Sequence, residues 1–206
     1  MNEQQPGRRE RKKSELRTRI SDIATALFLE RGFDEVSVSE VAEAADVARP
    51  TVFAHFPRKE DLVFDRYPEA EALVVAAITD RPAGTSALSA LTDLVLTLAE
   101  QGHPLTAIRG SYAPFWRMVA ESRALQSRAR ELLDHLEQAI AGAMASTGVP
   151  EPRFTAAIVV AAYRSVHLGS VERVLTGEDP VVVTTDHPMR VRSTFDRLKS
   201  TALVDA

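Results

Sequence analysis

The chain lacks cysteine altogether, and aromatic residues make up only 6% of its 206 residues. Without cysteine it forms neither a disulfide framework nor a thiolate metal site. No apolar run approaches the roughly 18 uncharged residues of a membrane span. The N-terminal stretch MNEQQPGRRERKKSE is basic, but no apolar segment follows it as in a secretory signal. We therefore expect a cytoplasmic protein with no membrane partner.

Sequence signals of catalysis are also missing. The chain has no glycine-rich phosphate loop, no His-Glu-x-x-His run and no serine in a nucleophile-elbow context. The histidines of the C-terminal part are scattered, and no two share metal-ligand spacing on one helix. We therefore predict no catalytic residue, no cofactor and no metal. The hydrophobic fraction of 45% is normal for a folded chain of one sizeable domain or two small ones.

Charge is unevenly distributed along the chain. The net charge is −4, which argues against indiscriminate nucleic-acid binding. Residues 8–19, however, hold seven basic side chains and two acidic ones, so this stretch carries 7 − 2 = +5. Such a basic arm is either a solubilising tail or a phosphate-binding segment. The motif that follows it favours phosphate contact.

Hydrophobic periodicity predicts an all-α chain. Apolar residues recur with a period near 3.6 in segments bounded by proline, glycine or polar loops. The predicted helices are 14–30, a short one capped by Ser39, 49–55, 59–79 divided or kinked at Pro68, 87–100, 105–109, 112–122, 124–146, 153–175 and 187–204. Val181, Val182 and Val183 are β-prone, but Pro180 precedes them and we assign them to a loop.

Residues 37–62 are the most informative part of the chain. They predict two short helices joined by a tight turn at Asp46–Ala48, with Pro50 in the first turn of the second helix, Arg49–His55. A helix of about two turns is not stable alone. We therefore expect another molecule to contact the outer face of this helix. Helix-turn-helix proteins place this second helix in the DNA major groove.

This segment resembles the DNA-binding domain of the TetR family of transcriptional regulators. The matching residues are Gly32-Phe33, Val36, Val38, Val41-Ala42, Thr51-Val52-Phe53, His55-Phe56-Pro57 and Lys59-Glu60-Asp61-Leu62. The aromatic-x-His-Phe-x-x-Lys-Glu ending is not a general helix-turn-helix feature. Asp46 replaces the usual turn glycine, and Asp tolerates a left-handed backbone. Ala48 replaces the usual Ser or Thr cap, so the second helix is capped less well.

The DNA contacts are predicted from residue chemistry and from the resemblance. Arg49 and Thr51 lie where base edges are reached; arginine pairs with guanine, and the threonine methyl group contacts a thymine methyl group. Phe53 can pack on sugar, His55 can donate to phosphate, and Lys59 lies at a helix N-terminus that favours phosphate. The full predicted set is Ser37, Ser39, Arg49, Pro50, Thr51, Phe53, His55 and Lys59. Val52 and Phe56 are assigned to the core.

Aromatic and basic residues concentrate between residues 109 and 118, around the only tryptophan. They either line a ligand cavity or form an ordinary core around Trp116, and the sequence leaves both readings open. The candidate ligand-binding residues are Arg109, Tyr112, Phe115, Trp116, Tyr163 and His167. Residues 115–175 also loosely resemble the acyl-CoA-like ligand-binding subgroup of the family.

The resemblance implies an N-terminal three-helix DNA-binding domain followed by a helical ligand-binding and dimerisation domain. The predicted boundaries are 1–13 for the basic arm, 14–58 for the helix-turn-helix domain and 59–206 for the regulatory domain. We expect a repressor that binds a double-stranded inverted-repeat operator as a homodimer, paired through the last two helices. A mainly apolar small-molecule effector would release it. The alternatives are a helical-pocket enzyme or carrier with a vestigial DNA-binding domain, and an architectural DNA binder without a ligand.

Overall fold

The computed structural model describes residues 7–106, 108 and 110–200. Over these residues the chain is α-helical with short 3-10 helices, as the sequence predicts. The α-helices are α1 (Arg8–Arg31), α2 (Val38–Ala44), α3 (Arg49–His55), α4 (Tyr67–Thr79), α5 (Ala87–Glu100), α6 (Ala113–Glu121), α7 (Arg123–Ser146), α8 (Pro152–Leu175) and α9 (Pro180–Ser200). The 3-10 helices are Lys59–Leu62, Pro104–Thr106 and Gly110–Tyr112.

The described chain divides into two compact units. The first unit runs to Asp65 and also includes Met118–Arg128, the end of α6 and the start of α7. The second unit contains Arg66–Arg117 and the chain from Ala129 onward. The first unit thus extends past the boundary predicted at residue 58 and recruits a segment that is distant in sequence.

The core of the first unit is built by α1 to α3, the residues between them, the 3-10 helix Lys59–Leu62 and the start of α7. Its members are almost fully buried, each contributing about 1.5–3 kcal/mol when a large apolar side chain leaves water. They include Ile20, Ala24, Phe28, Phe33, Val36, Val41, Val52, Phe56, Leu62 and Leu125. Phe28 and Phe33 pack edge to face with ring centroids 5.0 Å apart. The core assignment of Val52 and Phe56 is confirmed.

Residues Met118–Arg128 are fastened to this unit by polar contacts as well. Arg128 forms an ion pair with Asp61, with Nη2 2.8 Å from Oδ1, and the two side chains are only 15% and 14% exposed. Ser122 Oγ lies 3.3 Å from Asp34 Oδ1 and accepts a hydrogen bond from the Leu125 N–H. The start of α7 is therefore a structural part of the first unit.

The core of the second unit is formed mainly by α4, α5, α8 and α9, with apolar side chains from α7. Its buried residues include Ile78, Leu88, Leu91, Ile140, Met144, Ala156, Val159, Val160, Val191 and Phe195. In the described chain α8 is the one helix long and apolar enough to cross a membrane by length and composition. A core helix of a soluble protein passes the same test, and α8 packs along α9.

Three predicted element boundaries differ from the structure. Helix α1 begins at Arg8, so the described basic residues 8–13 form its first turns and not a separate arm. The predicted helix 59–79 is divided: a 3-10 turn ends at Leu62 and α4 begins at Tyr67, one residue before Pro68. The loop assignment of Val181–Val183 is wrong, because α9 already begins at Pro180.

Candidate DNA-binding and effector sites

Helix α2 begins with a capping box. Ser37 Oγ accepts from the Glu40 N–H at 3.2 Å, and the Glu40 carboxylate accepts from the Ser37 N–H at 2.8 Å. These bonds satisfy two backbone donors at the start of the helix. The Ser37 backbone donor, together with the Arg31 guanidinium, lowers the pKa of Glu40 to about 2. The prediction that Ser39 caps this helix is wrong; Ser39 is an exposed residue of its first turn.

The turn between α2 and α3 depends on a left-handed residue. Asp46 has φ +51°, as the replacement of the usual glycine requires, and its N–H donates to the Glu43 carbonyl at 3.0 Å. Val47 N–H donates to the Ala42 carbonyl, also at 3.0 Å. Asp is one of the few non-glycine residues that adopt this conformation readily. The tight turn therefore forms without glycine.

Helix α3 has the predicted bounds and presents two different faces. Val52 and the C-cap residue Phe56 point into the core and are 0% and 1% exposed. Arg49, Pro50 and Phe53 are exposed, and Thr51 is half-buried. The side chain of Ala48, the N-cap residue of α3, cannot accept a hydrogen bond, so the first backbone N–H groups of α3 have no side-chain cap, as predicted. The exposed face carries the residues predicted to contact bases, and the Arg49 guanidinium lies 5.4 Å from the centre of the Phe53 ring.

Two arginines of the basic stretch hold this unit together from within. Arg17 donates to the carbonyls of His55 and Asp65, and its guanidinium lies 4.1 Å above the Phe56 ring. Arg19 donates to the Ala45 carbonyl at 3.1 Å. Sequence reasoning counted both among the phosphate-facing charges. The carbonyl groups that accept these bonds lie 26 or more residues away in sequence, so no local signal marked the two arginines.

The remaining basic residues of that stretch face solvent. Arg8, Arg9, Arg11, Lys12 and Lys13 are all exposed on the first turns of α1. Arg11 has one weak partner, Glu15 at 3.9 Å, and both side chains are more than 60% exposed. Most of the positive charge is therefore available to a polyanion.

His55 and Lys59 are partly withdrawn from solvent. Burial, with the charges of Arg17 and Lys13, lowers the pKa of His55 below its ordinary value, so its imidazole is neutral at pH 7 and retains one N–H donor. The Lys59 ammonium donates to the Phe33 carbonyl and lies 4.3 Å from the centre of the Phe33 ring. Its phosphate contact stays a prediction, and one that requires the ammonium to leave these groups.

The second unit brings part of the predicted ligand-binding set together. Trp116 contacts Phe115 and His167, with ring centroids 5.0 Å apart in both pairs. Tyr163 lies 5.7 Å from His167. Burial raises the pKa of Tyr163 and lowers that of His167 to about 3, so both side chains are neutral at pH 7.

Two residues of the predicted ligand-binding set remain. Tyr112 ends a 3-10 helix and is half-buried. Arg109 lies outside the described residues. Trp116 also packs against a small apolar cluster of Ile108, Val171, Val174 and Val183, so the core reading and the ligand-site reading of the sequence both describe part of its surroundings.

The structure adds His187, which sequence reasoning treated as one of the scattered histidines. Its ring centroid lies 5.9 Å from that of His167, and the side chain is 2% exposed. His187 Nδ1 lies 3.0 Å from Ser170 Oγ, which in turn accepts a hydrogen bond from Arg190 Nη1. These residues come from α8 and α9, and only the packing of the two helices brings them together.

The geometry of α1 to α3 defines a helix-turn-helix unit with a basic, solvent-facing first turn. The model of the family described as bacterial regulatory proteins, tetR family, matches residues 20–65, the segment that forms this unit. This segment of the chain therefore belongs to the TetR family of DNA-binding domains.

Individual relatives agree with this assignment. The transcriptional regulator TcmR of Streptomyces glaucescens is 34% identical over 87 residues, which cover 42% of this chain and 38% of TcmR. The repressor KstR2 of Rhodococcus jostii strain RHA1 is 28% identical over 146 residues, or 59% of this chain and 72% of KstR2. The crystal structure of NalD, the secondary repressor of the MexAB-OprM multidrug efflux pump in Pseudomonas aeruginosa, matches with TM-score 0.55 and 23% identity, covering 89% of this chain and 96% of NalD. The family and these relatives are transcriptional regulators, which disfavours the enzyme alternative.

Proposed function

We propose that this protein is a ligand-responsive transcriptional repressor of the cytoplasm. It binds an inverted-repeat operator as a homodimer and is released when a small molecule binds its second unit. The observation that carries the proposal is the division of α3 into a core face and an exposed face. Val52 and Phe56 anchor the helix, while Arg49, Pro50 and Phe53 remain exposed. A helix of seven residues with such a face suits insertion into a major groove.

The proposed DNA contacts divide by chemistry. Arg49 and Thr51 read base edges, and Phe53 packs on sugar or thymine. Ser37, Ser39, His55 and the exposed basic residues of α1 contact phosphate, which fixes the orientation of the unit without reading sequence. The Lys59 ammonium stabilises the unit through its hydrogen bond to the Phe33 carbonyl, and it contacts phosphate when it leaves that carbonyl.

Operator binding tests this proposal directly. The protein would select its own site from a library of duplexes with a randomised centre, and fluorescence anisotropy would measure affinity for the selected duplex. Replacing Arg49 with Ala should weaken binding by about 1–3 kcal/mol, or roughly 5- to 150-fold, and relax specificity at one base pair. Arg130→Ala removes the same charge from an exposed position on α7, outside the proposed DNA-binding and dimer surfaces, and serves as the control. Equal affinity of the Arg49 variant and the parent would exclude Arg49 as a base reader.

The dimer is proposed to form through α8 and α9. Both helices keep large apolar side chains exposed: Phe154 and Leu168 on α8 are 46% and 53% exposed, and Val181 and Met189 on α9 are 71% and 65% exposed. Phe154 and Leu168 are two heptads apart and lie on one side of α8, with Ala161 between them. Such an unpartnered stripe, bordered by polar residues, is typical of an interaction surface.

Leu168→Arg tests this interface. Because Leu168 is exposed in the single chain, arginine should leave the fold intact and shift the protein from dimer to monomer in light scattering at micromolar concentration. Val160 would be a poor choice, since it lies in the core of the second unit. Leu29→Arg is the matched control, because Leu29 is 45% exposed on α1. A parent protein that is already monomeric would contradict the dimer.

The effector is proposed to be a mainly apolar small molecule bound near Trp116, Tyr163 and His167. Aromatic walls with a few buried polar groups are typical of ligand sites. Release requires that the ligand bind the non-DNA state more tightly; a tenfold loss of operator affinity corresponds to about 1.4 kcal/mol of differential binding. The subgroup resemblance to acyl-CoA-like sites stays a prediction.

A further inference from the structure

A short chain of hydrogen bonds is buried between α8 and α9. Arg190 Nη1 donates to Ser170 Oγ at 3.1 Å, and Ser170 Oγ lies 3.0 Å from His187 Nδ1. Ser170 is 0% exposed and His187 is 2% exposed. Ser170 and His187 are therefore shielded from solvent, so their donors and acceptors must find partners in the protein or in a bound molecule, whereas Arg190 is only half-buried.

The direction of these bonds fixes the tautomer of His187. The Arg190 guanidinium can only donate, so Ser170 Oγ accepts from it. In the described chain, the other polar contact of Ser170 Oγ is His187 Nδ1. The serine hydroxyl hydrogen therefore points at Nδ1, and Nδ1 is the acceptor. Burial lowers the pKa of His187 to about 4, so at neutral pH its single proton is on Nε2.

The result is a buried donor without an acceptor. His187 Nε2 has no hydrogen-bond partner among the described residues, and His167 Nδ1 is likewise buried without one. Each unsatisfied buried polar group costs about 1–3 kcal/mol. The centroids of the two rings lie 5.9 Å apart, and an oxygen atom at about 2.8–3.0 Å from one nitrogen of each ring fits this centroid separation.

The chemistry of the two nitrogens selects the group that would satisfy them. A hydroxyl oxygen accepts from His187 Nε2–H and can either donate to His167 Nδ1 or accept from it, so it suits both tautomers of His167. A carbonyl oxygen suits only one. The nearby Arg190 guanidinium is directed at Ser170 Oγ, so a carboxylate at the two neutral rings would be desolvated without a hydrogen-bonded charge partner. The neighbouring Trp116 and Tyr163 rings supply aromatic walls.

We propose that His167 and His187 together bind one hydroxyl group of a neutral aromatic effector, with Ser170 and Arg190 as positioning residues that hold His187 in its donor tautomer. This inference rests on the proposed effector response and gives it a ligand class: phenols or aryl alcohols. It also places the polar end of the effector at the two histidines.

A matched series of probes tests the hydroxyl preference. Equilibrium dialysis at pH 7 would compare 2-naphthol, naphthalene and 2-naphthoate, which share one ring system and differ in the polar group. The parent protein should bind 2-naphthol at least tenfold more tightly than either of the others, a difference of about 1.4 kcal/mol. Equal binding of 2-naphthol and naphthalene, tighter binding of 2-naphthoate, or no binding of 2-naphthol would overturn the proposal.

Variants show whether the preference comes from the histidines. His187→Phe should abolish it, and Ser170→Ala should reduce it, because Nδ1 no longer has a donor that fixes the tautomer. His187→Gln keeps an N–H donor at a similar reach and should retain most of the preference, which guards against a simple loss of folding. His135→Phe alters an exposed histidine of α7 and should leave it intact. A His187→Phe protein that still prefers 2-naphthol refutes the assignment.

Operator binding by the same samples separates this inference from the proposed function. A parent protein that selects and binds an operator but shows no hydroxyl preference remains a DNA-binding regulator and loses the assigned ligand class. A protein that prefers 2-naphthol yet selects no DNA retains the hydroxyl site and loses the proposed regulatory function.

Discussion

Replacing Arg128 with Met should destabilise the first unit far more than the loss of an exposed ion pair would. Both Nε and Nη2 of Arg128 lie 2.8 Å from Asp61 Oδ1, and the two side chains are about 85% buried. The other oxygen of Asp61 accepts from the Arg58 N–H at 3.1 Å, which holds the carboxylate in place. Without Arg128 the Asp61 carboxylate stays in its buried position and loses its charge partner.

The size of the effect follows from that burial. Removing one partner of a fully buried pair costs about 3–5 kcal/mol. Since a small part of this pair reaches water, we expect about 2–4 kcal/mol, against 0–1 kcal/mol for an exposed pair. For a chain of this size each kcal/mol lowers Tm by about 2–4 °C, so the midpoint should fall by about 4–16 °C.

Circular dichroism at 222 nm would follow thermal unfolding of Arg128→Met beside Arg31→Gln. Arg31 pairs with Glu40 at 2.6 Å, a shorter distance than in the Arg128 pair, but both side chains are near 40% exposed. The comparison of the two variants therefore separates the effect of burial from the effect of a short distance between the charged atoms. An Arg128 variant that melts within about 1 °C of the Arg31 variant, a difference of at most about 0.5 kcal/mol, would refute the reasoning, because burial would then contribute nothing.

The helix-turn-helix unit was predictable because its signals are local. Proline at the start of α3, an Asp able to adopt positive φ, and glycine at the end of α1 act through their own backbone, so the bounds of α3 and the turn were predicted correctly. The cap of α2 was assigned to the wrong serine. The correct signal was present, since Ser37 is followed three residues later by Glu40, which is the spacing of a capping box.

The start of α9 shows tertiary packing overriding local propensity. Val181 to Val183 favour a strand by residue type. In the structure the Asp179 carboxylate accepts from the Val181 N–H, Val183 is 0% exposed, and Thr184 donates to the Ile108 carbonyl. Contacts to a segment some 76 residues away stabilise the helix there, and no window of sequence contains them.

The buried histidine pair was beyond sequence reasoning for the same reason. His167 and His187 lie on different helices, and the spacing of 20 residues matches no ligand pattern. Trp116 and Tyr163 were predicted as ligand-binding residues because aromatic residues are rare in this chain and each one is conspicuous in the sequence. The polar groups that would give such a site its selectivity, Ser170 and Arg190, resemble ordinary helix residues until the two helices are packed.

Two further stability measurements test the local geometry. Ser37→Ala should lower the free energy of unfolding by about 0.5–2 kcal/mol, because it removes the cap of α2. The pKa of Glu40 is lowered to about 2 in the folded protein, so the stability that this carboxylate contributes is complete above the unfolded value of 4.5 and is lost as pH falls through 2. Glu40→Gln should therefore flatten the pH dependence of Tm in that window. Gly110→Ala should destabilise the second unit by about 1–3 kcal/mol, because its Cβ would lie 2.8 Å from Pro180 Cγ at the rigid start of α9. Gly142→Ala is the matched change inside α7, where the new Cβ meets nothing within 4 Å, and it should stabilise the helix by about 0.4–1 kcal/mol. The two alanine variants should therefore move Tm in opposite directions, and a Gly110 variant that gains stability as Gly142→Ala does would show that the close approach to Pro180 is absent in solution.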